Sequence, residues 1–136
     1  MNREILFRAK RVDKGEWIEG FFAKSGDKTF ILIDNDIAVG YVAMKEVIAE
    51  TVGQFTGLTD KNGTNIFEGD IVKYTNTQRG VYEIGQKMRG VVVFDENIGC
   101  YISKNNFQRH SDFWFSEDIE VIGNIFDNPG LLEEKE

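Results

Sequence analysis

The sequence predicts an all-β protein. Aromatic residues are frequent, with 11 Phe, 4 Tyr and 2 Trp in 136 residues, and together with β-branched residues they suit a pleated, half-buried surface. Apolar residues either alternate with polar ones or form short runs bounded by Gly, Asn and Asp, which is strand punctuation. The pair Asn62-Gly63 is the strongest short hairpin signal in the chain, because a tight type I′ turn needs positive φ at both central positions. Short strands at close spacing with turns between them point to a barrel or a sandwich.

Glu4 to Val12 alternates loosely, with Ile5, Phe7 and Ala9 on one side and Arg8 and Lys10 on the other. Asp13-Lys14-Gly15 supplies a turn, and Glu16 to Phe22 forms the second strand of an N-terminal hairpin. After Ser25-Gly26-Asp27 the run Thr29-Phe30-Ile31-Leu32-Ile33 predicts a strand buried on both faces. Residues 42–52 are ambiguous. Ile37 to Met44 looks extended, yet Met44, Val47, Ile48 and Val52 have helical spacing.

Gln54 to Val72 predicts a strand, a reversal at 60–63 and a second strand, with a corner at Glu68-Gly69-Asp70 feeding Ile71-Val72. Thr75 to Gly80 is polar and loop-like, and Val81 to Ile84 allows a short extended arm. Gly90-Val91-Val92-Val93-Phe94 is the clearest buried strand, returned by Cys100-Tyr101-Ile102 after a turn. Glu120 to Phe126 is the last strand, stopped by Asn128-Pro129-Gly130. The C-terminal half therefore fits a small SH3-like barrel, preceded by an N-terminal β hairpin or meander lobe, with at most one or two short helices. The expected division is 1–52 for the N-terminal lobe, 53–130 for the barrel lobe and 131–136 for an acidic tail.

Net charge is −7, which opposes a nonspecific grip on nucleic acid or anionic membrane. The charge is uneven. Residues 71–110 hold six cations against three acids, whereas 111–136 hold one cation against eight acids. Such asymmetry suits two faces of one surface, or head-to-tail attraction between copies. A single cysteine, Cys100, excludes an internal disulfide. No run approaches the ~18 apolar residues of a membrane span, and the first residues lack the apolar core of a secretion signal. A reducing, cytoplasmic setting is expected.

Three stretches resemble the YopX family, small proteins of phages and prophages. They are Arg3 to Ala9, then Gln54 to Gly63 continuing through Ile66 to Val72, then Ile119 to Pro129. The resemblance implies an all-β fold with SH3-like character, a phage or prophage origin in a bacterial host cell, and a tendency to self-associate. It implies no activity, and nothing transfers to Thr75–Arg89.

The residues that invite a chemical role each have a plainer explanation. Asp60-Lys61-Asn62-Gly63 lacks the spacing of a calcium loop, and a hairpin turn explains it. Glu68 and Asp70 share a strand face and would suit acid–base work if a pocket split their pKa values, but a Glu-Gly-Asp corner is mostly backbone chemistry. His110 and Cys100 lack the ligand spacing of a metal site and a third group to orient the imidazole. No catalytic, metal or cofactor residue is assigned, and no small-molecule substrate is expected. The candidate interaction surface is Lys104, Phe107, Arg109, Phe113, Trp114 and Phe115, where aromatics interleave with cations. It suits a contact between subunits, core filling, or stacking on single-stranded nucleic acid. The expectation is a non-enzymatic, self-associating interaction protein, with a single-strand nucleic-acid module as the alternative.

Overall fold

A computed structural model describes residues 4–36, 41–77, 79–80, 83–104, 110–111 and 116–132. Eleven strands dominate these residues, with short 3-10 turns at Ala49–Thr51 and Pro129–Leu132. The chain forms two compact units, 1–57 and 58–136.

Unit 1 contains β1 (Phe7–Lys10), β2 (Trp17–Ser25), β3 (Lys28–Asp36), β4 (Tyr41–Val47) and most of β5 (Gly53–Thr59). The strand order within unit 1 is β4-β3-β2-β1-β5; β6 (Asn65–Phe67) follows in unit 2. Arg11 anchors the first hairpin turn, gripping both Asp13 oxygens and Glu16 Oε1 at 2.8–3.0 Å. The sheet curls until the end of β1 meets the end of β4: Ile48 N–H donates to Lys10 O, and Val12 N–H donates to Glu46 O. Thr51 secures this junction, accepting from Lys10 N–H and donating to Ile48 O. Ala9, Ile31 and Val47 fill the concave side with Phe7, Ile18, Ile33 and Val52.

One ambiguity resolves here and one expectation changes. Residues 41–47 are a strand, followed by a single 3-10 turn. β3 offers a row of backbone partners, and pairing with it puts Ala43 and Val47 inside while Met44 and Glu46 face out. The helical stripe of Met44 and Ile48 therefore never forms a buried face. β3 itself is buried on one side only. Ile31 is fully enclosed, whereas its neighbours Phe30 and Leu32 are half-buried on the other face.

Unit 2 has the order β10-β9-β8-β7-β11. These are β7 (Asp70–Thr75), β8 (Lys87–Asp95), β9 (Cys100–Lys104), β10 (His110–Ser111) and β11 (Glu120–Asn124). Its core gathers Ile66, Val72, Tyr74, Met88, Val92 and Ile119. Val92 follows the expected buried run at 90–94, although the burial alternates and leaves Phe94 exposed. Inside this core the hydroxyls of Tyr74 and Ser103 hydrogen-bond to each other.

The pairings among the described residues leave this sheet open, so an SH3-like closure is not among them. The outer edge of β11 is already occupied: Lys61 N–H donates to Ile119 O, and Val121 N–H donates to Asp60 Oδ2. The last strand also stops at Asn124 rather than Phe126, because Asn124 Oδ1 accepts from Phe126 and Asp127 N–H and turns the chain.

Candidate functional site

Of the six residues in the expected surface, Lys104 is described, while Phe107, Arg109, Phe113, Trp114 and Phe115 lie outside the described residues. Lys104 closes β9, opposite Val91 on one side and His110 on the other. It lines an open groove of about 300 Å³ with Val93, Phe94, Asp95, Glu96, Asn97 and Ile102. Two carboxylates share that groove with one ammonium group, which is a poor field for a phosphate chain. Phe94 packs edge-on against Tyr101, with ring centroids 5.2 Å apart. A second groove of about 310 Å³ in unit 1 contains Arg11, whose guanidinium is already engaged by Asp13 and Glu16.

The corner acids serve the backbone. Asp60 is buried, and its Oδ1 accepts from Asn62 N–H and Thr64 N–H at 2.9 Å. Its Oδ2 reaches across the sequence to Val121 N–H at 3.0 Å. Burial pushes this carboxyl up, but the N–H groups of Val121, Thr64 and Asn62 outweigh it and hold the pKa below the usual range. Residues 60–63 do reverse the chain, by a different turn from the one expected. Gly63 N–H donates to Asp60 O, so Lys61 and Asn62 sit at the centre, and Gly63 follows them at φ +81°. Asp60 N–H donating to Thr64 O then closes a longer loop that ends in a left-handed glycine.

Asp70 is 1% exposed, and its Oδ2 accepts from Phe67 N–H at 2.8 Å, with Gly69 between them at φ +90°. Glu68 and Asp70 thus frame a corner rather than a pocket. Cys100 is a half-buried free thiol. Among the described residues no three His, Cys, Asp or Glu side chains group as metal ligands would, and no helix is long and apolar enough to cross a membrane.

One polar cluster has no local signal in the sequence. The Asp118 carboxylate accepts from Ser116 Oγ, from Thr75 N–H at 2.9 Å and from Thr75 Oγ1 at 2.5 Å. Lys87 Nζ donates to Thr75 Oγ1 at 2.8 Å and lies 3.7 Å from Asp118. The Ser116 and Thr75 hydroxyls lead in holding the Asp118 carboxyl well below the usual range, against partial burial, with Thr75 N–H and Lys87 adding to them. Such a carboxylate is a weak base, suited to clamping the segment before β11 onto β7.

The YopX protein family model matches residues 6–133, nearly the whole chain. The chain belongs to the YopX family. The crystal structure of protein EF1440 from Enterococcus faecalis is similar, with a TM-score of 0.54 and 23% identity over 96% of this chain and 99% of that one. At that identity the likeness speaks for the fold. No curated protein matches the chain.

Proposed function

We propose that this YopX-family chain is a non-enzymatic protein of phage or prophage type that associates with itself in the bacterial cytoplasm and acts through binding surfaces. One contrast carries the reading. Of the acids weighed for chemistry, Asp60 and Asp70 are engaged with backbone N–H groups, and so is Asp118. Meanwhile large apolar side chains face solvent, among them Phe21 and Met44 at about three-fifths exposure each. Exposed apolar clusters are the mark of contact surfaces. The uneven charge along the chain favours contact between copies further.

Light scattering coupled to size exclusion tests this on the full chain. A mass above the monomer that rises with concentration is expected, and a strict monomer at high micromolar concentration would sink the proposal. Single-strand nucleic-acid binding predicts a salt-sensitive retardation of oligonucleotides; under self-association no retardation is expected even at low salt.

A further inference from the structure

The outward face of unit 1 is apolar at its centre and charged at its rim. β2 alternates, so Trp17, Glu19 and Phe21 point away from the core that takes Ile18. Phe21 pairs with Leu32, and Leu32 with Met44, so three apolar side chains stand in register across β2, β3 and β4. Directly opposed side chains on one face are roughly 5 Å apart, which makes this row a continuous strip. Phe21 and Met44 at its two ends are 61% and 59% exposed.

Trp17 lies on the same face and is already braced. The Arg8 guanidinium sits 4.7 Å from its ring centroid, and Lys10 Nζ lies 5.7 Å away. An aromatic held in place loses little freedom when it is covered. The rim carries both signs: Arg8 and Lys10 on β1 and Lys28 on β3, with Glu19 on β2 and Glu46 on β4.

Building on the self-association proposed above, we infer that this face is the contact between copies: a two-fold-related second chain lays its own Phe21–Leu32–Met44 strip against this one, with Trp17 as the anchor. A two-fold contact must be complementary to itself. A rim that carries both signs meets that demand, since cations of one copy have carboxylates of the other to face. A purely basic rim would repel its own copy and attract an anionic polymer instead. Aromatic residues, Met and Arg are also the types enriched in interface centres, and the flexible Met44 side chain adapts to its opposite surface.

The test compares the full-length wild type with Phe21→Glu, Met44→Glu and the control Ile84→Glu, whose site in unit 2 is 60% exposed. Sedimentation equilibrium gives the association constant and circular dichroism the melting curve. Wild type and control are expected to associate alike, while each of the other two substitutions weakens association by about tenfold or more with unchanged melting. Phe21→Ser, which introduces no charge, separates loss of contact from loss of fold. A strictly monomeric wild type would remove self-association altogether. An associating wild type whose mass survives both Phe21→Glu and Met44→Glu would overturn this interface alone. Retardation of a single-stranded oligonucleotide that Phe21→Glu abolishes would also overturn it, making the face a nucleic-acid platform.

Discussion

Asp60 stands in for a missing strand partner. Its Oδ2 takes Val121 N–H on the outer edge of β11, while its Oδ1 takes two N–H groups of its own turn. Asp60→Asn keeps the size but removes the charge and one acceptor oxygen, and is expected to cost about 1–3 kcal/mol, read as a lower urea midpoint. The folded pKa of Asp60 is depressed, so its stabilisation is complete above the unfolded value of about 3.9 and is lost as the pH falls through that value toward the folded one. Asp118 has the same sign. Its side chain is 43% exposed, so solvent screening shrinks its share. Urea midpoints measured from neutral pH downward are expected to fall through this acid window in the wild type, and to fall less steeply in Asp60→Asn. Elsewhere, Tyr74→Phe removes the buried hydroxyl that meets Ser103 and is expected to cost about 1–3 kcal/mol by stranding a polar group. That Asp60 belongs to a turn was legible from Asp60-Lys61-Asn62-Gly63. Its bond to Val121 was not, because nothing local marks a partner so far along the chain.

Strand pairing explains Gly20, where β2 turns from β1 toward β3. A Cβ there would sit 2.1 Å from Leu32 O, a backbone atom that cannot swing aside. Gly20→Ala therefore forces the β2–β3 ladder apart and is expected to lower the melting temperature of unit 1 sharply. Amide exchange would show it as lost protection across Phe21–Ser25. The same pairing decided β4. Within residues 41–47 alone, alternation and helical spacing compete; the hydrogen-bonding edge of β3 settles the contest, because every second residue laid against it exchanges two backbone bonds with its partner. β8 was legible as a short apolar run bounded by turns, whereas its burial on one face only, repeating every second residue, emerged with the fold. The outward strip of Phe21, Leu32 and Met44 was not legible, since it exists only once three strands are in register.

Each unit has its own buried cluster, one around Ile31 and the other around Val72 and Val92. Separate cores allow separate opening. Ile31→Ala is expected to cost about 2–5 kcal/mol and to accelerate amide exchange in β1–β3 while β7 and β8 keep their protection. Uniform acceleration in both units would show that they open together. The sequence by itself determined the all-β class, the family, the reversal at 60–63 and the corner at 68–70, because each rests on local alternation or on a residue type that a turn requires. Tertiary structure alone decided that 41–47 is a strand, that Asp60 and Lys61 occupy the edge of β11, and that apolar side chains line up on the outside of unit 1. Those outcomes depend on which backbone groups and side chains meet across long stretches of chain, and no local pattern encodes such meetings.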